Sequence, residues 1–470
     1  MNRPVLFSAL FAFSCGFAIA QQPAGPSTMP QVLRNGAIVP NVSCAESPGQ
    51  SYVLYLPSNY TAGKNWPIVY AFDPDARGIV PVELMKDAAE HYGYIVAGSN
   101  DARNGPWKPL VEAAQAVFHD THSRLAIDDH RIYFAGLSGT ARFAASLAQQ
   151  CKCAAGVLLS GAAFAPQSPP TPGADFSVFA TVGIDDFNYG KLVTLDEKLT
   201  TLHYAHVLRR FDGPHDWAPA NVMDEAFAWF HLIAMRDGRE SVDAGFVKEQ
   251  ADQAEKRAQA LDAAGDVYGS WEEYRQMADA FQGLSDVSAK FRQRAAELQT
   301  ITAVRDGAKH EKQAIEEQSR MSDDILSGLA ALPENSPDAY NEVQGKVVNL
   351  CGRADHEKNP QQLAVMRRAL GAVYIQAMED AQALYDQKDV SHALAYYELA
   401  ADAEPDSVPA LKGIAITRAA AGDRKGTLEA LRKATAESKD PAAFAAWLKQ
   451  EPAFAKWRDT PEFRALTAPQ

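Results

Sequence analysis

A serine in a Gly-x-Ser-Gly turn is the residue best suited to chemistry in this sequence. The turn 136–139, which carries Ser138, follows an apolar run at 132–135 and precedes a helix that we predict from about residue 140 to 150. A sharp strand-to-helix turn of this kind lifts a serine hydroxyl above the edge of a sheet, where it can act as a nucleophile. Strand and helix approach closely there, so small neighbours are required. Gly136 meets that requirement, whereas Thr140 adds a β-branched side chain at a crowded point.

A nucleophilic serine needs a base and an acid that orients the base, and the chain supplies both in a suitable order. The predicted strand 178–182 is followed by Asp185 and Asp186, so a carboxylate lies at the carboxyl end of a parallel strand. His215 follows in a turn before the last predicted helix of this region. We predict that Asp186 is the acid, because adjacent side chains of an extended chain point in opposite directions. Asp185 and Asp212 remain alternatives.

The oxyanion formed by serine attack on a carbonyl needs two hydrogen-bond donors. One is expected to be the backbone amide of Gly139, directly after the nucleophile. The other is expected in the loop after the strand 67–72, where Pro74 has no N–H, so Asp75 or its neighbours should supply it. Arg77 is an alternative group for holding an anion. Asp73 and Asp75 are also common turn-forming residues.

Metal-binding patterns in the sequence are weak. His119 and His122 have helical i, i+3 spacing with Asp120 between them, but they lack a third clear ligand and suit a solvated helix face. Cys151 and Cys153 lack a second cysteine pair nearby. We therefore expect no metal site in these segments.

The remaining cysteines allow more than one pairing. Cys44 and Cys351 bring the number beyond the first twenty residues to four, an even number in a compartment that permits disulfides. A bridge from Cys44 to Cys151 or Cys153 and buried free thiols are equally compatible with this sequence.

The elements that must position these residues follow from the apolar pattern. Residues 50–235 alternate strand-like and helix-like runs, beginning with a strand at 52–56, which predicts a mostly parallel sheet with helices on both faces. After residue 236 the strand-like runs vanish and apolar residues recur at helical spacing. Asp389 and its neighbours recur 34 residues later around Asp423, the length of a tetratricopeptide repeat. We predict a helical region at 236–365 and a tetratricopeptide-like domain at 366–470.

The N-terminus and the net charge indicate where the protein works. Arg3, an apolar run at 5–17 and a small-x-small end at 18–20 predict a signal peptide over residues 1–20, followed by an extension at 21–49. Cys15 leaves a lipid anchor as an alternative. The net charge of −14 would repel nucleic acid, and no later stretch is long and apolar enough to span a membrane. We expect a soluble periplasmic or secreted protein.

Residues 50–235 resemble a known enzyme family. The segments 52–60 and 66–70, the turn 136–139 and the Gly-Pro-His-Asp-Trp turn at 213–217 resemble serine α/β-hydrolases, in the branch of polyhydroxyalkanoate depolymerases, feruloyl esterases and dienelactone-hydrolase-like proteins. The resemblance implies an α/β-hydrolase fold and hydrolysis of carboxylic esters through an acyl-enzyme, without a metal or an organic cofactor. Thr140 and the loop that begins Asp73-Pro74 depart from the family pattern.

We therefore expect a serine esterase with Ser138 as nucleophile, His215 as base and Asp186 as acid, acting on a small-molecule or polymeric ester. The helical half is expected to cap the site or to bind a protein partner. The alternative is an inactive hydrolase-fold module attached to a tetratricopeptide-like interaction platform. Because no strand is predicted beyond residue 236, a chain ending near residue 240 is expected to fold alone.

Overall fold

The alternating apolar runs of the first half form one sheet. In this computed structural model, which describes residues 33–330 and 337–467, there are eight strands: β1 (Ile38–Ser43), β2 (Ser51–Tyr55), β3 (Trp66–Phe72), β4 (Ile95–Ser99), β5 (Ile127–Leu137), β6 (Ala154–Ser160), β7 (Ser177–Gly183) and β8 (His206–Phe211). Their order is β1-β2-β4-β3-β5-β6-β7-β8. β2 is antiparallel to both of its neighbours, and the strands from β4 to β8 are parallel. The predicted α/β-hydrolase sheet is confirmed.

Five helices connect the strands and cover both faces of the sheet. They are α1 (Ile79–Tyr92), α2 (Trp107–Arg124), α3 (Gly139–Cys151), α4 (Tyr189–Thr201) and α5 (Ala220–Arg236). Alternate residues of a strand point to opposite faces. Accordingly, Val69 of β3 belongs to the core beneath α1 and α5, whereas the next residue, Tyr70, contacts Phe118 of α2. A central strand buried on both faces explains why β3 appears in the sequence as an unbroken apolar run.

The sequence predicted that the strand at 52–56 is the first strand, but it is the second. β1 precedes it, within the predicted N-terminal extension, and pairs with β2 at the edge of the sheet. The ladder between β1 and β2 shifts register between Val39 and Val42, around Pro40. Proline cannot donate to a ladder and is tolerated at a sheet edge, so a sequence that looks broken still forms a strand there.

Beyond residue 236 the described chain is helical, as predicted. The helices are α6 (Ala244–Ala263), α7 (Val267–Ala280), α8 (Val287–Gln299), α9 (Thr302–Ala330), α10 (Pro337–His356), α11 (Pro360–Asp386), α12 (Val390–Ala403), α13 (Val408–Ala420), α14 (Arg424–Glu437), α15 (Pro441–Gln450) and α16 (Pro461–Leu466), with a 3₁₀ helix at Pro452–Trp457. We call residues 38–236 the sheet half and residues 244–466 the helical half. The division predicted at residue 365 falls inside α11.

The 34-residue recurrence corresponds to repeated helix starts. Asp389 accepts a hydrogen bond from the His392 amide at the start of α12, and Asp423 accepts one from the Gly426 amide at the start of α14. An aspartate that accepts a bond from the first turn of a helix satisfies an amide that otherwise lacks a partner. The 34-residue period is thus the distance between two helix starts of the same kind. Assignment of these helices to the tetratricopeptide family stays a prediction.

One apolar core runs through both halves. Trp229 and Phe230 of α5 belong to the same buried cluster as Phe281, at the end of α7, and Phe291 of α8. A second cluster lies within the helical half, from α9 to α16. The first core therefore does not end at the last helix of the sheet half.

Buried ion pairs also join the halves. Arg209 of β8 contacts Glu273 of α7 at 2.9 Å, and Arg210 contacts Glu272 at 2.8 Å and Glu311 of α9 at 2.9 Å. All five side chains are largely buried. Removing one member of such a set leaves a charge without its partner in a poorly solvated place.

The cysteines differ from the pairings considered from the sequence. Cys151 and Cys153 form a disulfide at the end of α3, whereas Cys44 is free and buried, and burial raises the pKa of its thiol to about 12. A bridge to Cys44 is therefore wrong.

The signal peptide, with Cys15, lies outside the described residues. Within residues 33–330 and 337–467, no helix combines the length and the apolar character needed to cross a bilayer.

Candidate active site

Ser138 lies at the turn between β5 and α3 with a strained backbone. Its φ of 56° and ψ of −123° fall outside the regions that L-residues usually adopt. A Cβ added at Gly136 would collide with the backbone of Thr140 and lie 2.6 Å from the amide nitrogen of Ala141. Glycine two positions before the serine is therefore what allows strand and helix to approach so closely. The half-buried Ser138 lies at the carboxyl end of the parallel strands.

Thr140, which departs from the family pattern, fits the turn through its hydroxyl. Its Oγ1 lies 2.6 Å from the carbonyl oxygen of Phe72 and 2.7 Å from that of Leu137, and it accepts a hydrogen bond from the Leu137 amide at 3.2 Å. Thr140 is completely buried. The hydroxyl therefore satisfies buried backbone groups and ties the serine turn to the end of β3.

The structure brings His215 and Asp186 together in two loops that follow β8 and β7. The Nδ1 atom of His215 lies 2.9 Å from Oδ2 and 3.0 Å from Oδ1 of Asp186, whose side chain is completely buried. The Asn188 amide donates to Asp186 Oδ1 at 2.7 Å. Through these contacts Asp186 can hold the His215 ring in one orientation.

The two alternative acids lie elsewhere. Asp185 Oδ2 forms an ion pair with Nη1 of Arg367, at 2.9 Å, on α11 of the helical half. Asp212 is exposed. Among the described residues, Asp186 is the carboxylate that bonds to His215.

The end of β6 and the residue after it, Gly161, lie against both the serine turn and His215. The Ser138 amide donates to the carbonyl of Ser160 at 2.9 Å. A Cβ at Gly161, which has a φ of 64°, would lie 2.8 Å from Cε1 of His215. Neither a larger side chain nor another backbone conformation would suit this position.

Ser138 and His215 do not form a hydrogen bond in this structure. His215 Nε2 is buried and has no hydrogen-bond partner among the described residues. Hydrogen bonds between catalytic groups are often long without a substrate and tighten when one binds. Nε2 is therefore the ring nitrogen that is left without a partner among the described residues.

The loop after β3 differs from the expectation for Asp75. The buried Asp73 carboxylate accepts the Asp75 amide at 2.9 Å through Oδ1 and Trp217 Nε1 at 2.9 Å through Oδ2. The Asp75 amide is thus engaged and not free to bind an oxyanion here. The reason is the carboxylate at position 73, which turns the following amides towards itself. Arg77, the alternative anion-binding group, contacts both Asp73 and Asp75.

The histidines of α2 make local contacts. His122 Nε2 lies 3.2 Å from Asp129 Oδ1, and its ring stacks on Phe118. Within the described part of the chain, no group of three or more histidine, cysteine, aspartate or glutamate side chains is arranged to hold a metal ion.

Comparisons with known proteins find similarity in solved structures. A scan against protein-family models finds no match, and a search of curated proteins finds none. An S-formylglutathione hydrolase from Staphylococcus aureus is 14% identical, with a TM-score of 0.34 over 43% of this chain and 99% of that chain. A ferulic acid esterase is 15% identical, with a TM-score of 0.35 over 42% and 98%. An esterase from Pyrobaculum calidifontis is 12% identical, with a TM-score of 0.34 over 43% and 87%.

The sequence allowed that the helical half caps the site but indicated none of the residues involved. A cavity of about 510 Å³ lies between the loops after β7 and β8 and the helices α11 and α12. From the sheet half it is lined by Asp185, Phe187, Pro214 and His215, and from the helical half mainly by Arg367, Leu370, Gly371, Tyr374, Ile375 and Glu404. No periodicity could reveal this, because it depends on how distant segments pack.

Two ionisable groups of this cavity are altered by burial. Burial raises the pKa of Tyr374 to about 12, and its hydroxyl bonds to the Ser407 hydroxyl at 2.7 Å. Burial also raises the pKa of Glu404, while the nearby His215 lowers it. The cavity thus combines apolar side chains with a carboxyl group whose pKa is raised by burial.

Two further residues of the site were not predicted. Asn188 fixes the acid loop, since its Nδ2 also donates to the Gly161 carbonyl at 2.8 Å. Asn104, in the loop between β4 and α2, lies against Gly139. The spacing of Asn188 two residues after Asp186 was the available signal for the first, whereas nothing in the sequence indicates the second.

Proposed function

We propose that this protein is a serine hydrolase that cleaves carboxylic esters through an acyl-enzyme. The observation that carries the proposal is the His215 ring, whose Nδ1 is held by the buried Asp186 and whose Nε2 is free beside the strained Ser138 turn. A histidine oriented by a buried carboxylate, next to a serine on a strand-to-helix turn, is the arrangement that activates a hydroxyl.

The reaction would proceed in two halves. Ser138 Oγ attacks the ester carbonyl while His215 Nε2 takes its proton, and the Gly139 amide donates to the developing oxyanion. His215 then gives the proton to the departing alcohol, which leaves an acyl group on Ser138. A water molecule, deprotonated by His215, attacks this acyl group, and His215 then returns the proton to Ser138 Oγ as the bond to the acyl carbon breaks and the carboxylic acid is released. Asp186 stays ionised and stabilises the imidazolium.

We propose that the helical half forms part of the substrate site. The cavity beside His215 has α11 as one wall, and Leu370, Gly371 and Ile375 give that wall an apolar surface. Apolar walls with few polar groups suit the carbon skeleton of an ester. In this proposal the helical half caps the site, and a role in binding a protein partner is not needed to explain its position.

A fluorophosphonate probe tests the proposed chemistry, because only an activated serine reacts with it. We expect the wild-type protein to be labelled and to hydrolyse p-nitrophenyl esters. Ser138→Ala should lose both activities at an unchanged melting temperature. Ser319→Ala, which removes an exposed serine of α9, is the matched control and should behave as wild type. An unlabelled wild type would contradict the proposal and favour an inactive binding module.

We also propose that the protein is exported and that its leader is cleaved after Ala20. The charged start and apolar run of the sequence support this, as does the Cys151–Cys153 disulfide, since such bonds persist in oxidising compartments. Mass spectrometry of the mature protein should find Gln21 at the N-terminus. A mature chain that retains residues 1–20, or one that is lipidated at Cys15, would contradict this processing.

A further inference from the structure

Asn104 lies above the turn that carries Ser138. A Cβ added at Gly139 would come closest to Oδ1 of Asn104 and would lie 2.8 Å from its Cγ and 3.1 Å from its Nδ2, so the carboxamide packs directly against the Gly139 backbone. We infer that the Asn104 carboxamide is the second oxyanion donor, beside the Gly139 amide. The inference rests on the proposed function and names a residue for it that no sequence pattern indicated.

The loop of Asn104 is fixed to the loop after β3. The Asn104 amide donates to the carbonyl of Pro74 at 2.8 Å, and Asp75 and Arg103 form an antiparallel bridge. Both loops lie at the carboxyl ends of the parallel strands. A donor held by backbone hydrogen bonds needs little reorganisation when charge develops, which is what makes an oxyanion donor effective.

The usual second donor is not free here. Pro74 has no N–H, the Asp75 amide donates to Asp73 Oδ1 at 2.9 Å, and the Ala76 amide donates to the Asp73 carbonyl at 3.0 Å. The Arg77 amide also points towards Asp73 Oδ1, at 3.4 Å. The amides of residues 75 to 77 are therefore directed at Asp73, so none of these three is offered to the oxyanion.

The Asn104 side chain, by contrast, is available. It makes no hydrogen bond to any residue in the described part of the chain. A carboxamide carries two N–H donors and one acceptor, and a half-turn of its terminal group exchanges the two ends. Its nitrogen can therefore point at an oxyanion bound by the adjacent Gly139 amide. Gly139 must be glycine for this, because any side chain there would displace the carboxamide.

Turnover of Asn104 variants tests the inference. Loss of one oxyanion donor lowers turnover by roughly 10² to 10³. We expect Asn104→Ala to lower kcat for p-nitrophenyl acetate by about that factor, with KM changed by less than about threefold, since the donor acts mainly on the transition state. Arg103→Ala, the neighbouring position, is the matched control and should keep wild-type kcat.

Asn104→Asp separates hydrogen bonding from packing. Aspartate fills the same space but offers no donor and repels an oxyanion, so its kcat should fall at least as far as that of Asn104→Ala. Wild-type turnover of Asn104→Asp, at an unchanged melting temperature, would show that the side chain only packs, and would overturn the inference. Full turnover of Asn104→Ala in a wild-type protein that reacts with fluorophosphonate would also overturn it, while the proposed function would stand. A wild type without labelling or hydrolysis would instead remove the proposed function itself.

Discussion

At the scale of single residues, Asp185 and Asp186 contact partners in different halves of the molecule. Asp186 faces His215 in the sheet half, whereas Asp185 pairs with Arg367 on α11. The Asp185 amide donates to the Gly213 carbonyl, and the Ile184 amide donates to that of Phe211, so the acid loop and the histidine loop are joined along their backbones. This joining fixes which aspartate faces the histidine.

We expect Asp186→Asn to lower turnover by about 10⁴, because in serine proteases the equivalent amide leaves the histidine in the wrong tautomer. Asp185→Asn should lower it by less than about tenfold, since a partly exposed ion pair contributes only about 0–1 kcal/mol. The measurement is kcat on one ester at matched melting temperatures. A larger loss for Asp185→Asn would mean that the ion pair with Arg367 matters more than the contact with His215.

The residues of the site differed in how far the sequence could predict them. Ser138, Asp186 and His215 stand out because each follows a recognisable strand, and their geometry is consistent with the predicted roles, which await test. Asp75 could not be judged in this way, since the direction of a backbone amide depends on what its neighbour Asp73 binds. Asn104 approaches Gly139 through folding of a distant loop, which no local pattern encodes.

At the scale of elements, the apolar runs at 67–72, 132–135 and 178–182 predicted β3, the later part of β5 and β7, because strands buried on both faces are apolar throughout. Two helices of the sheet half have weak signals in the sequence. α1 carries Pro81 in its first turn, where proline is compatible with a helix but resembles a break. α4 contains threonines, a valine and a glycine, which have low helix propensity, and Leu192, Leu195 and Leu199 hold it by their burial.

The contact between β8 and α7 should make stability depend on pH. Burial is the main reason that the pKa of Glu272 rises from 4.5 to about 7, with the nearby Glu311 adding to the rise and Arg210 opposing it. A raised pKa means that the folded protein binds this proton more tightly than the unfolded chain does. The contribution to stability is therefore complete below about pH 4.5 and is lost as the pH rises through about 7.

We expect Glu272→Gln to become more stable relative to the wild type as the pH rises from 5 to 8. The measurement is the melting temperature of the variant minus that of the wild type at each pH. The reason is that glutamine cannot ionise, whereas the wild-type carboxyl must do so in a buried place as the pH rises. Glu297→Gln, at an exposed position of α8, is the control and should give a difference that is nearly constant. A constant difference for Glu272→Gln would contradict the assignment.

At the scale of the whole molecule, the two halves share a core and a set of buried charges. Sequence patterns could not show this. The sheet has all its strands without the helical half, and the residues that join the two halves lie on helix faces whose composition is typical of any packed helix. Trp229 and Phe230 are buried within the core that extends to α8, and Arg209 depends on Glu273. The structure thus gives a physical reason to doubt that the sheet half folds alone.

We expect a chain ending at Arg239 to unfold over a broad range of urea concentration with a weak near-ultraviolet circular dichroism signal. It would expose the apolar face of α5 and leave Arg209 and Arg210 without their glutamates from α7. A chain ending at Gln299 retains α6 to α8 with Glu272 and Glu273, and is the matched comparison that should unfold more cooperatively. Sharp, cooperative unfolding of the shorter chain would restore the original expectation that it folds alone.

Gly371 of α11 affects which substrates would fit in the cavity under the proposed function. A Cβ there would lie 3.6 Å from Cβ of Phe187, so an alanine fits, whereas a longer side chain would project towards the space beside His215. Because this wall is a helix and not a loop, its backbone cannot move aside easily to make room for a larger substrate. Under the proposed function, a longer side chain at position 371, more than two hundred residues after Ser138, would therefore reduce the space for substrate while leaving Ser138, Asp186 and His215 unchanged.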